Sequence, residues 1–196
     1  KTAFEPRVPG KVSIYACGPT VYDVPHVGHA RSALTYDILR RYLRWRGFDV
    51  TLVMNITDID DKIIRRAAAE GTTEPEIAAT YERAYIEQMD RLGVEPPDVR
   101  PHATEYIDEM IEVIRELVER DMAYVVEGQG VYFRVRALDD YGALVHRHVD
   151  DLRESAGARV EVDERKEDPL DFALWKAAKP GEPTWDSPWG PGRPGW

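Results

Sequence analysis

Two histidines three residues apart, His26 and His29, are the side chains of this chain best suited to chemistry. If a helix begins near them, both point to the same side of it. Gly28 lies between them and omits a side chain where a flat ligand or a phosphate would approach the backbone. The positive end of a helix favours an anion, and imidazoles can stabilise charge that develops at phosphorus. The pattern indicates a nucleotide site, and two histidines that only hold a loop are the alternative.

The segments around the histidines predict a strand, a helix and a second strand. Residues 11–16 have strand character, an amphipathic run covers 30–47, and residues 49–55 are again strand-like. Such a βαβ unit closes right-handed into a parallel sheet. Ligands of these sheets bind beyond the carboxyl ends of the strands, near helix N-termini. We therefore expect Cys17 and both histidines at that edge.

Three blocks of sequence carry a family resemblance. The run His-Val-Gly-His at 26–29 resembles the His-Ile-Gly-His signature of class I aminoacyl-tRNA synthetases. The preceding Cys-Gly-Pro-Thr-Val-Tyr-Asp at 17–23 narrows the resemblance to the cysteinyl-tRNA synthetases. The block Asn-Ile-Thr-Asp-Ile-Asp-Asp-Lys at 55–62 and the segment 171–196 agree with it. Because the blocks occur in the family's order, the resemblance extends from about residue 15 to residue 196.

The resemblance implies an enzyme that adenylates L-cysteine with ATP, with Mg²⁺ accompanying the nucleotide, and then transfers the cysteine to tRNA(Cys). It assigns catalysis to His26 and His29, and it implies that several further residues bind the two small substrates. The implied ATP-binding residues are Pro19, Thr20, His26, Gly28 and His29, and the implied cysteine-binding residues are Gly18, Thr57 and Trp196.

The resemblance also implies a zinc ion, which binds the substrate thiolate and thereby distinguishes cysteine from serine. Cys17 is the one zinc ligand it assigns within this chain. The family's other three ligands, its second ATP motif and its anticodon-binding part follow Trp196. We therefore expect a fragment that by itself neither adenylates cysteine nor charges tRNA.

Composition bounds the function more loosely. The net charge of −10 argues against nucleic-acid binding by the whole surface. Two runs of basic residues are either solvated helix faces or contacts for RNA phosphates: Arg40, Arg41, Arg44 and Arg46, then Lys62, Arg65 and Arg66. The single cysteine fits a reducing compartment, so we expect the cytoplasm, and no apolar run is long enough to cross a membrane.

An antiparallel hairpin breaks the expected parallel fold. Strand-like runs flank Gly-Gln-Gly at 128–130, which favours an insertion. We predict an α/β fold, a Rossmann-like parallel sheet interrupted by a smaller α+β insertion. The predicted parts are 1–95 (first half of the catalytic domain), 96–165 (insertion) and 166–196 (return to the catalytic domain), with a short helix over 169–179.

Other polar residues allow two interpretations. Asp58, Asp60 and Asp61 either cap a helix or bind a cation such as Mg²⁺, and capping is favoured. His102 is expected to be structural. His146 and His148 are two residues apart, but nothing near them resembles a metal site.

Three other functions compete with the synthetase interpretation. The first is the related ligase that joins cysteine to glucosaminyl-inositol in mycothiol synthesis, although the Asp-Lys at 61–62 departs from that family's pattern. The second is a noncatalytic nucleotide-fold module. The third, a nucleotidyltransferase with a His-x-x-His loop, leaves the block at 55–62 without a role.

Overall fold

The computed structural model describes residues 3–149, 151 and 165–195. They divide into two compact units, Lys1–Glu105 and Tyr106–Trp196, each treated separately below. No helix among the described residues is long and apolar enough to cross a membrane.

The first unit contains the predicted βαβ arrangement. Strand β1 (Lys11–Ala16), helix α1 (Val27–Trp45) and strand β2 (Asp49–Met54) follow in order. The two strands pair in parallel, with Ala16 opposite Met54 at their carboxyl ends. The α/β prediction is confirmed, and this register places residues 17 and 55 side by side at one edge of the sheet.

Helix α1 begins earlier than the apolar pattern indicates. The pattern starts at Ala30, whereas the helix starts at Val27 because the His26 side chain caps it. The first turn carries no apolar stripe, so periodicity could not reveal it. After the helix ends, Gly47 has a φ of 91°, the left-handed conformation expected of a glycine at a helix C-terminus.

Helices α2 (Asp61–Glu70) and α3 (Glu74–Arg91) complete the first unit. Asp60 caps α2, and the predicted capping box of Thr73 and Glu76 begins α3. Asp58 accepts a hydrogen bond from the backbone N–H of Thr104 at 3.0 Å. The capping interpretation is therefore confirmed for Asp60, whereas Asp58 does not cap α2 and instead binds Thr104, 46 residues along the chain. Apolar side chains of these elements form one core cluster: Val21, Ile56, Ile63, Ala67, Ile77 and Ala78.

Both interpretations of the basic face of α1 were wrong for Arg40, the buried member of the four arginines. Arg40 is 1% exposed, and it donates to Asp37 Oδ1 at 3.1 Å and to the Pro96 carbonyl at 2.7 Å. Arg41 and Arg44 form ion pairs with Glu95 at 3.0 Å and 3.2 Å. These guanidinium groups hold the 93–98 loop against α1. Arg40 is buried and unavailable to RNA, whereas Arg41 and Arg44 keep exposed side chains while they form these ion pairs. Carboxylates more than 50 residues away in sequence decide their role.

Replacing Arg40 with Met should lower the free energy of unfolding by about 3 kcal/mol, because it leaves Asp37 and two carbonyls without their buried donor. Arg46→Met on the same helix is the control. Arg46 is exposed and bonds only the Tyr42 hydroxyl among the described residues, so we expect a change within about 0.5 kcal/mol. Urea denaturation measures both variants. Equal midpoints would show that the buried network does not stabilise the unit.

The second unit begins with α4 (Ile107–Glu119), which follows a 3-10 turn over Ala103–Tyr106. Four antiparallel strands follow in the order β3-β4-β5-β6: β3 (Ala123–Val126), β4 (Gly130–Phe133), β5 (Phe172–Ala177) and β6 (Gly192–Pro194). The predicted hairpin is β3 and β4, which pair with Ala123 opposite Phe133.

The predicted helix over 169–179 was wrong, because this stretch forms β5. Asp171 ends the preceding turn, where its carboxylate accepts from the Val135 N–H at 2.9 Å and the Tyr124 hydroxyl at 2.8 Å. Trp175, fully buried, lies opposite Val131 of β4 and Pro194 of β6. Pairing on both sides therefore overrides the local pattern. The boundaries 1–95, 96–165 and 166–196 stay a prediction.

Candidate active site at the carboxyl edge of the parallel strands

The two histidines form a reciprocal cap at the start of α1. His26 Nδ1 accepts from the Gly28 N–H at 3.1 Å, and His29 Nδ1 accepts from the His26 N–H at 3.1 Å. Their ring centroids are 4.0 Å apart. A backbone N–H can only donate, so neither Nδ1 carries a proton in the neutral ring and both Nε2 atoms do. The loop thus presents two N–H donors at a helix N-terminus.

Electrostatics favour the neutral form of His29. Partial burial lowers its pKa from the ordinary value of 6.5, and the neighbouring His26 lowers it further. Protonation at Nδ1 would also break the bond from the His26 N–H. Near pH 7 this ring is therefore a neutral donor through Nε2.

His29 and His102 should titrate on opposite sides of 6.5. Burial alone lowers the pKa of His102, but the Glu82 carboxylate, 3.0 Å from Nε2, raises it above 6.5 overall. Histidine ¹⁵N–¹H correlation spectra across pH 5–8 measure both pKa values and the tautomers. We expect an Nε2–H tautomer for His26 and His29 at neutral pH, with His102 as the internal control. An Nδ1–H tautomer in His29 would contradict the cap geometry.

Gly28 has a role inside this cap. A Cβ atom at Gly28 would lie 2.8 Å from His26 Cε1. The space that glycine leaves is therefore taken up by the His26 ring, which needs it to reach the Gly28 N–H. The conformation of His26 depends on the absence of a side chain at residue 28.

A second cluster, the strand-end network of Tyr15, Gly18, Asn55 and Thr57, joins the ends of β1 and β2. Asn55 Oδ1 accepts from the Gly18 N–H at 2.9 Å and from the Tyr15 hydroxyl at 3.1 Å. Asn55 Nδ2 donates to Thr57 Oγ1 at 3.2 Å. A Cβ atom at Gly18 would stand 1.6 Å from the Asn55 carbonyl oxygen. Only glycine fits at that position.

Backbone bonds connect this network to the loop before the histidines. The Thr57 N–H donates to the Pro19 carbonyl at 3.0 Å, and the Val21 N–H donates to the Thr57 carbonyl at 3.3 Å. The bridge between Thr20 and Thr57 is parallel and continues the strand pairing. The structure therefore brings Gly18, Pro19, Thr20 and Thr57 together.

Helix α2 holds the next part of the loop. Lys62 Nζ lies 5.0 Å from the centroid of the Tyr22 ring, and Arg66 pairs with Asp23 at 3.5 Å. Lys62 and Arg66 thus contact the segment that leads to the histidines. Neither interpretation offered for these residues from the sequence, a solvated helix face or a contact for RNA phosphates, included this contact with the loop.

Cys17 is exposed, and its Sγ makes one weak contact of 3.8 Å to the Gly18 carbonyl. The Tyr15 hydroxyl has a raised pKa, through burial first and the nearby Cys17 second. The sulfur is accessible to a metal ion. However, residues 3–149, 151 and 165–195 contain no group of three or more His, Cys, Asp or Glu that could hold one. These residues alone do not fit a four-ligand zinc site, and His146 and His148 form none.

Trp196 lies outside the described residues, so its contact with cysteine stays a prediction. The sequence reasoning assigned no role to Asn55 or Tyr15. A polar side chain directly after a buried strand was the available signal for Asn55, because parallel strand ends meet at one edge.

The fold of the chain is that of the class I aminoacyl-tRNA synthetases. It is similar to the methionyl-tRNA synthetase of Mycobacterium tuberculosis bound by methionyl-adenylate, with a TM-score of 0.62 and 17% identity over 88% of this chain and 42% of that one. It is also similar to a leucyl-tRNA synthetase (LeuRS) of Agrobacterium radiobacter K84 in complex with tRNA, with a TM-score of 0.52 and 20% identity over 65% of this chain and 17% of that one.

The chain belongs to the family described as tRNA synthetases class I (C) catalytic domain, which matches residues 3–196. It is 59% identical over its whole length to a cysteine–tRNA ligase of Nitratidesulfovibrio vulgaris strain Miyazaki F, of which it covers 40%. It is 54% identical to a cysteine–tRNA ligase of Geobacillus thermodenitrificans, of which it covers 41%. The chain thus spans about two fifths of the length of these relatives.

Proposed function

We propose that this chain is the part of a cysteine–tRNA ligase that binds ATP and L-cysteine and forms cysteinyl-adenylate. One observation carries the proposal. The donors of His26 and His29 and the strand-end network belong to one compact unit, and backbone bonds between Thr57 and residues 19 and 21 connect them. A phosphate-binding element and an amino-acid-binding element are what adenylation requires.

The nucleotide half of the site supplies neutral donors. In adenylation a cysteine carboxylate oxygen attacks the α-phosphorus of ATP, and pyrophosphate leaves. The Nε2–H groups of His26 and His29 would hydrogen-bond phosphate oxygens whose charge changes in this step. The N-terminus of α1 adds a favourable potential for that charge. Pro19, Thr20 and Gly28 shape the backbone around the phosphates.

The amino-acid half of the site lies at the strand ends. Gly18 and Thr57 border the place where the substrate side chain would bind, and Trp196 stays a cysteine-binding residue predicted from the sequence. Cys17 would provide one sulfur ligand for zinc, which, when bound, prefers a thiolate to a hydroxyl. Because the chain covers 40% of a related cysteine–tRNA ligase, we propose that the other ligands belong to the rest of a longer enzyme. Transfer to tRNA(Cys) in the cytoplasm is the activity we propose for that enzyme.

Cys17→Ser should remove zinc from the full-length enzyme, because a hydroxyl is a much weaker ligand than a thiolate. Zinc per protein, measured by mass spectrometry after gel filtration, should fall from near one to near zero. The double variant His146→Gln/His148→Gln is the control and should retain zinc. Full zinc content in Cys17→Ser would show that Cys17 is not a ligand.

Amino-acid-dependent exchange of pyrophosphate into ATP tests the function. The full-length enzyme should catalyse it with cysteine, whereas the 196-residue chain by itself should not. Offering tRNA(Cys) or glucosaminyl-inositol to the adenylate then identifies the acceptor. Transfer of cysteine to the inositol and not to tRNA would contradict the proposed function. Pyrophosphate exchange by the 196-residue chain alone would contradict its expected inactivity.

A further inference from the structure

Asn55 has a fixed orientation that determines what its neighbour can do. The backbone N–H of Gly18 is a donor only, so the Asn55 atom 2.9 Å from it must be the amide oxygen. The other end of the amide, Nδ2, then faces Thr57 Oγ1 at 3.2 Å. The usual ambiguity of an asparagine amide is removed by this backbone contact.

The orientation of the Asn55 amide determines which hydrogen bonds the Thr57 hydroxyl can make. Nδ2 has only protons to offer, so Thr57 Oγ1 accepts this bond. The hydroxyl proton is then left to donate elsewhere, and no acceptor for it occurs among the described residues. A threonine hydroxyl held in this way can donate its proton to an acceptor on a bound substrate.

We propose that Asn55 is a positioning residue for cysteine, which turns the Thr57 hydroxyl into a donor toward the sulfur of the substrate. This inference rests on the proposed function. A thiolate only accepts hydrogen bonds, so a hydroxyl that already accepts from Asn55 is complementary to it. The same amide also holds the backbone of Gly18, next to Cys17, so it fixes both sides of the amino-acid half of the site.

Asn55→Asp is the informative variant. An aspartate keeps an acceptor for Gly18 and Tyr15, but its second oxygen faces Thr57 and takes the hydroxyl proton. We expect the KM for cysteine to rise about tenfold, the effect of about one hydrogen bond, with kcat and the KM for ATP within about twofold. Thr57→Val should give a similar rise. Thr51→Val, at an exposed threonine of β2, is the matched control and should leave both KM values unchanged.

The double variant Asn55→Asp/Thr57→Val decides the question in pyrophosphate exchange by the full-length enzyme. If Asn55 acts through Thr57, Asn55→Asp should add less than about twofold to the cysteine KM of Thr57→Val. Full additivity would overturn the inference, because the new charge would then act directly on the substrate. A parallel rise in the KM for ATP with a lower Tm would overturn it too, since it indicates a merely structural role. Absence of cysteine-dependent exchange in the wild type would instead refute the proposed function.

Discussion

Gly18→Ala is expected to abolish cysteine-dependent pyrophosphate exchange and to lower the free energy of unfolding of the first unit by about 3 kcal/mol. The new Cβ would stand 1.6 Å from the Asn55 carbonyl oxygen and 3.3 Å from Met54 Cγ. A backbone oxygen cannot turn away as the end of a side chain can. The ends of β1 and β2 must therefore separate, and the bond from the Gly18 N–H to Asn55 Oδ1 is lost with them.

Gly47→Ala separates this clash from the general cost of replacing a glycine. Gly47 has a φ of +91°, and nothing lies within 4 Å of its added Cβ. Its cost is the left-handed backbone alone, about 1 to 2 kcal/mol, and exchange activity should remain. Urea denaturation and exchange assays measure both variants. Wild-type activity in Gly18→Ala would show that the strand ends are not held as described.

His29→Asn is expected to lower kcat for adenylation by about 10² to 10³, the effect of removing one preorganised donor from a developing charge. An asparagine oxygen can replace Nδ1 and accept from the His26 N–H, so the cap and the Tm should change little. His29→Gln is the complementary variant. Its amide N–H can take the place of Nε2–H, while the cap acceptor is lost.

The pair separates catalysis from capping. If the outward donor matters, His29→Gln should keep more kcat than His29→Asn, although its helix is less well capped. The reverse order, with activity following the Tm, would show that His29 serves the loop alone. Single-turnover adenylate formation in the full-length enzyme is the measurement, because it isolates the chemical step from product release.

Local sequence signals predicted the elements whose partners are near in the chain. The βαβ unit, the box at Thr73 and Glu76 and the hairpin around 128–130 depend on periodicity, caps and turn residues within a few positions. The predicted helix over 169–179 was wrong because the strand partners of Phe172–Ala177, in β4 and β6, lie outside any local window. The prediction of a solvated or RNA-binding face was wrong for Arg40 for a similar reason. Its ion-pair partners Glu95 and Asp98 lie more than 50 residues later in the sequence.

The candidate site was predictable only in part for the same physical reason. The histidines and Gly28 stand in one short motif, so their proximity follows from the local geometry of a helix N-cap. Asn55 acquires its role only when the register of β1 and β2 sets it against Gly18. No spacing in the sequence encodes that contact. Predicting the contact between Asn55 and Gly18 would have required the register of the two strands as well as the βαβ order.

The central claim is that the neutral imidazole donors and the strand ends of this chain bind ATP and cysteine for one adenylation reaction. Cysteine-dependent incorporation of labelled pyrophosphate into ATP by the full-length enzyme, compared with its His29→Asn and Gly18→Ala variants, tests it most directly. We expect incorporation with cysteine, none with serine, and a loss of at least about 10² in both variants. Incorporation that requires a different amino acid, or that survives both substitutions, would contradict the account.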